Sequence, residues 1–162
     1  MIFLPDTNAC ITLLRRRDDR LIARWKSVKA TDIVLCSITV YELRYGAQRS
    51  ADPTREHSKL DLFLSPFTSL PFDDLCARRC GELRAELETA GNIIGPHDLQ
   101  IAAIALQHGL TLVTHNSREF RRIAGLKLDD WEAQAPSYDA DRDRSPETFA
   151  IKVHINCLYR SC

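Results

Sequence analysis

Acidic side chains recur in this chain at the points where apolar runs give out. Asp6 follows Ile2, Phe3 and Leu4, and Glu42 comes shortly after the apolar segment that ends at Cys36. Asp98 opens an otherwise apolar stretch, and Asn116 and Glu119 follow Thr111 to Thr114. Carboxylates from separate segments repel when brought to one point, unless a cation sits between them. An all-oxygen set of this kind suits magnesium or manganese. Convergence would therefore imply a divalent metal. A plainer use also exists for each residue. Thr39-Val40-Tyr41-Glu42 and Asn116-Ser117-Arg118-Glu119 both fit the capping box, and Asp6 and Asp98 could oppose helix dipoles. Capping does not explain why Asp98 heads an apolar helix, or why Asp6 leaves a buried strand, since burying charge without a partner is costly.

The elements that must position these residues follow from apolar periodicity. Ile2 to Leu4, Ile33 to Cys36, Thr68 to Phe72, Thr111 to Thr114 and Leu126 to Leu128 read as short strands. Between them the spacing predicts helices over 8–14, 19–29, from Ser37 through VYELRYGAQ, over 54–66, from Asp73 or Asp74 to about Ala90, and from Pro96 to Gly109, with a short helix opening at Asn116. The helix HDLQIAAIALQHG is apolar almost all round and belongs between other elements. Strands alternating with helices predict a three-layer α/β/α domain over residues 1–135, with a mostly parallel central sheet of four to five strands. In such sheets ligand chemistry gathers outside the carboxyl ends of the strands, where the acids lie.

The 162 residues suit one domain, and 44% hydrophobic with 27% charged residues excludes a disordered or fibrous chain. Lysine plus arginine equal aspartate plus glutamate at 22 each, so any affinity for nucleic acid must come from a local patch. No run approaches the roughly 20 apolar residues that span a bilayer, and no basic segment precedes the first apolar stretch. A soluble, unexported protein is expected. Cys10, Cys36 and Cys76 read as small buried hydrophobes, and Cys76 with Cys80 lacks the second pair that a zinc finger needs. Residues 136–162 divide into a polar linker, PSYDADRDRSP, and a strand-like extension in which Phe149, Ile151, Val153, Ile155 and Cys157 alternate with polar residues.

Taken in order, IFLPDTNACI, ITVYELRYGA, GPHDLQIAAIALQHGLTLVTHNSREF and GLKLDDW resemble PIN-domain proteins, specifically ribonuclease toxins of the VapC type from bacterial toxin–antitoxin operons. The resemblance covers residues 1 to about 132. It implies that Asp6, Glu42 and Asp98 bind Mg2+ or Mn2+. Many relatives carry an acid where Asn116 stands, so Glu119, one helical turn along, is expected to act through the metal's water shell. Thr7, Asn8 and Thr114 match small polar residues near the site. The implied reaction is hydrolysis of RNA phosphodiesters by a metal-activated water. Arg118 is the favoured contact to the RNA backbone, among basic residues that also include Arg15, Arg16, Arg17, Arg20, Arg121 and Arg122. Tyr41 and Tyr45 are aromatics of the kind that stack on unpaired bases, although core or rim packing is the commoner role. His97 and His115 flank the site in sequence and read as turn or solvent-side residues without a carboxylate to orient them.

The resemblance further implies a cytoplasmic protein, a homodimer, and a small cognate antitoxin that wraps the early helices and inserts a basic side chain among the acids. Operator DNA would be reached only through that antitoxin. The alternative is a PIN fold that binds its partner but cuts weakly or not at all, because Asn116 lacks charge. A haloacid-dehalogenase-like phosphatase needs a second aspartate where Asn8 stands, and a receiver domain needs a lysine after the fourth strand; both are excluded.

Overall fold

The computed structural model describes residues 1–133. The polar linker and the alternating extension expected over 136–162 lie outside the described residues. In chain order the elements are β1 (Phe3–Pro5), α1 (Thr7–Leu14), α2 (Asp19–Ser27), a single 3-10 turn (Ala30–Asp32), β2 (Leu35–Cys36), α3 (Ser37–Gln48) and α4 (Pro53–Leu64). There follow β3 (Ser69–Leu70), α5 (Asp74–Thr89), α6 (Pro96–Gln107), β4 (Thr111–Val113), α7 (Ser117–Phe120) and β5 (Lys127–Asp129).

Every strand pairing is parallel. β4 lies between β1 and β5, with Phe3 opposite Thr111 and Val113 opposite Asp129, while β2 pairs with β3. A parallel bridge from Phe3 to Ile33, and the bond from the Val34 amide to the Phe3 carbonyl at 2.9 Å, join the two ribbons. The resulting order is β3-β2-β1-β4-β5, with β1 in the middle. Both faces of the inner strands are covered, so side chains of period two serve two cores. Phe3, Leu35 and Val113 point into one, built with Leu13, Trp25, Leu43, Leu60 and Trp131 from the first four helices and the segment after β5. Leu4, Cys36 and Leu112 point into the other, with Cys76, Leu83, Ile101, Ile104 and Phe120 from α5, α6 and α7. This is the three-layer α/β/α arrangement that the alternation of elements predicts.

Two strands are shorter than the apolar runs suggest. Thr68 to Phe72 pairs only at Ser69–Leu70, because the Phe72 amide leaves the sheet to donate to the Ser37 hydroxyl at 3.1 Å. The segment Ile33 to Cys36 is a strand only at Leu35–Cys36, with Ile33 held by a single bridge. Helix ends follow local chemistry. Asp18, Asp52 and Asp73 each accept backbone N–H groups at the starts of α2, α4 and α5. Gly109 closes α6 at φ +64°, a left-handed turn that lets the Leu110 amide reach back to Ala105 at 2.8 Å.

Candidate active site

Because all five strands run the same way, their carboxyl ends open on one edge, and the loops and helix starts that leave it carry the candidate residues. Asp6 leaves β1 as the N-cap of α1 and accepts the Ala9 amide at 2.7 Å. It is 3% exposed. Burial raises its pKa, and the charge of Glu132 adds to the rise. The Ala9 amide, the Thr114 hydroxyl and the Asn8 amide pull the other way. Capping is thus a real function of Asp6, as its position before a helix suggests, and it coexists with a costly buried charge.

Glu42 is not a capping residue. α3 begins at Ser37, so Thr39 lies inside the first turn, fully buried, its hydroxyl 3.4 Å from the Cys36 sulfur. Glu42 therefore sits beyond the orphan amides of the helix start. Its carboxylate accepts the Thr7 hydroxyl and lies 2.8 Å from Nδ1 of His97. The capping-box reading fails at Asn116 too, whose side chain makes no cap bond to α7. Instead the Asn116 amide donates to the Thr114 hydroxyl oxygen at 3.0 Å.

Asp98 stands in the first turn of α6, behind Gly95 and Pro96. Its pKa is pushed up to about 6, first by burial and then by the negative charges of Asp6, Glu119 and Glu42, with His97 opposing. Carboxylates from three other segments thus act on Asp98 across the sheet edge. Thr7 and Thr114 belong to this constellation as donors to Glu42 and Asp6. Asn8 is exposed and contributes its backbone amide, and Arg118 is exposed on α7 one residue before Glu119. Among the described residues no three His, Cys, Asp or Glu side chains close into a ready metal cage. Asp6 is turned to Ala9 and Thr114, and Glu42 to Thr7 and His97.

Both histidines depart from expectation. His97 has Glu42 as a carboxylate partner, and His115, 65% exposed, has Asp130 at 3.1 Å. Those contacts join segments far apart in sequence, so no local spacing announces them. Glu132, which sequence reasoning passed over, is a further member of the edge. It follows β5, its pKa is raised by burial, and its charge bears on Asp6. Only the placement of β5 beside β4 reveals it. The basic run after α1 is partly committed elsewhere, since Arg20 is paired with Asp18 at 2.8 Å.

A groove runs from Glu42 along the outside of the first layer, between α1, α3 and α4. Ile11, Leu14, Leu43, Ala47 and Leu60 form its floor, with Arg15, Glu56 and Lys59 on its rim.

Residues 3–126 match the family described as PIN domain. The chain is 40% identical over 133 residues to Ribonuclease VapC2 of Rickettsia felis, covering 82% of this chain and 99% of that protein. It is 37% identical over 129 residues to the tRNA(fMet)-specific endonuclease VapC of Salmonella typhimurium, covering 80% and 97%. Among solved structures, VapBC2 from Rickettsia felis bound to a DNA fragment from their promoter superposes with a TM-score of 0.75 at 39% identity, covering 81% of this chain and 99% of that one.

Proposed function

We propose, from the premise that this chain belongs to the PIN domain family, that it is a divalent-metal-dependent endoribonuclease and the toxin of a toxin–antitoxin pair. The observation that carries the reading is the field on Asp98, whose carboxyl is pushed up to about 6 first by its own burial and then by the negative charges of Asp6, Glu119 and Glu42. Negative charge concentrated in this way, outweighing the opposing His97, is what a bound cation would relieve.

The donor set fits Mg2+ or Mn2+, being carboxylate oxygens from rigid element ends. Asp6, Glu42 and Asp98 would hold the ion and Glu119 would support it through water, while Asn116 adds no charge. When bound, such an ion lowers the pKa of a water and stabilises the charge that develops on a phosphoryl group. The chain's own residues prepare the site. Ala9 and Thr114 fix Asp6, Thr7 fixes one oxygen of Glu42, and His97 holds the other. Arg118, exposed beside Glu119, gives the RNA backbone a cationic approach to an otherwise repelling edge.

The partner follows from the same premise, since structural neighbours of the chain are VapBC complexes. The groove between α1, α3 and α4 suits an amphipathic antitoxin helix whose basic side chain reaches Glu42 at its inner end. Operator DNA is contacted through that antitoxin, the working unit is a homodimer, and the site of action is the cytoplasm. No described helix is long and apolar enough to cross a membrane.

The test is incubation of the partner-free protein with total bacterial RNA, with and without manganese, beside Asp6→Ala and Asp98→Ala. Discrete cleavage by the unaltered protein, in metal only and lost in both variants, is the expected result. No cleavage, together with no heat of manganese binding by calorimetry, would overturn the nuclease reading in favour of a binding module weakened by Asn116.

A further inference from the structure

Tyr41 and Tyr45 are each 53% exposed, which sets aside core packing and leaves a place on the rim. Four residues apart on α3, they share one stripe of the helix. Their rings lie 6.5 Å apart between centroids and 28° from parallel. One end of the stripe joins the carboxylate edge, because His97 stands edge-on to Tyr41 at 5.4 Å while its Nδ1 contacts Glu42. The other end is cationic. The Arg49 guanidinium sits 5.7 Å from the Tyr45 ring centroid and donates to the Tyr45 hydroxyl at 3.1 Å. The face therefore presents, in order, carboxylates, an imidazole, two phenol rings and a guanidinium.

We propose that this stripe is a stacking platform for unpaired RNA bases beside the scissile bond, with Arg49 against the backbone phosphate beyond them. The proposal rests on the nuclease reading and names the class of substrate, single-stranded RNA. Exposed aromatic faces stack on any base, and a guanidinium contacts phosphate, but a duplex has its base faces already occupied. A second copy of this chain seated on the same face is the alternative occupant, which the oligomeric state tests. The ordering of the groups also matches a strand threaded from phosphate contact to metal-bound phosphate. His97 buttresses the inner ring and Arg49 the outer one, so both faces are held before RNA arrives.

The test uses the full chain and a labelled single-stranded oligoadenylate, alone and annealed to oligouridylate, with fluorescence anisotropy as the readout. Tyr41→Leu and Tyr45→Leu keep apolar bulk and remove the ring face. Each is expected to raise the Kd for the single strand about tenfold and leave duplex binding unmoved. Tyr41→Phe and Tyr45→Phe should retain the affinity of the unaltered protein. In cleavage of total RNA with manganese, the leucine variants should lose rate at limiting RNA and recover it at saturating RNA. Leucine variants that bind the single strand as tightly as the unaltered protein, while that protein cleaves in manganese, overturn the platform and leave the nuclease reading standing. Failure of the unaltered protein both to bind and to cleave overturns both. A shift in oligomeric state by sedimentation in the leucine variants overturns the platform in favour of a second copy on this face.

Discussion

The acids of α5 and the acids of the sheet edge are the same functional groups in opposite company. On α5, Glu82 is reached by Arg79 at 3.1 Å and Glu88 by Arg84 at 2.8 Å, on the two flanks of the helix. At the edge Asp98 faces Asp6, Glu42 and Glu119. The first arrangement is what a solvated helix does with charge, and each pair contributes little, because water screens it. The second costs stability and persists only where surrounding packing imposes it. In this fold that packing is the buried run Ile101 to Ala105 on α6 and the hydrogen bonds that tie Asp6 to β4 and α1. Charge kept against its own sign marks the working end of the molecule, and charge paired with its opposite marks the coat.

The contrast can be broken most severely at the edge. Asp6→Ala or Asp98→Ala should reduce metal-dependent RNA cleavage by about a thousandfold or more, measured as initial rates, since each removes a carboxylate proposed to hold the ion. Thr7→Val should lower the cleavage rate by about tenfold through loss of the hydroxyl that fixes Glu42, with metal affinity by calorimetry falling in parallel. In metal-free buffer at neutral pH the sign reverses for stability. Asp98→Asn removes a carboxylate that its neighbours repel, and should stabilise the protein by about 1 kcal/mol in urea titrations, allowing for solvent screening of a half-buried group. A variant that is both inactive and more stable is what the comparison requires. The smallest change belongs to the coat. Arg84→Ala should leave the urea midpoint close to that of the unaltered protein and cleavage as it was, since water screens an exposed pair.

Sequence made the edge legible where a residue had no local excuse. Asp98 heading Leu99, Ile101 and Ala102 to Ala105 is such a case, because nothing about an apolar helix asks for a carboxylate there. Asp6 is another, although its position also serves a cap. Glu42 has two uses legible in the sequence, an acid after the second strand and the last residue of a capping box, and the structure removes the second. The four residues from Thr39 imitate a capping box, yet the backbone enters the helix two residues earlier, at Ser37, and leaves Thr39 buried. A one-dimensional motif cannot report that offset. The bonds of His97 to Glu42 and of His115 to Asp130, and the field of Glu132 on Asp6, depend on which strands lie side by side. That order, with β1 central, is set by packing between distant segments.

The middle position of β1 also has a consequence for the order in which the molecule is made. β1, made before the other described strands, is bounded on one side by β4, whose residues from Thr111 onward are made roughly a hundred residues later. Until then Asp6 has no Val113 carbonyl to receive its amide and no Thr114 hydroxyl beside its carboxylate. Pairings this remote in sequence form late, because a long loop must close before they gain anything. A nascent chain therefore carries the first acid of the site without its β4 partners until β4 has been made and has paired with β1.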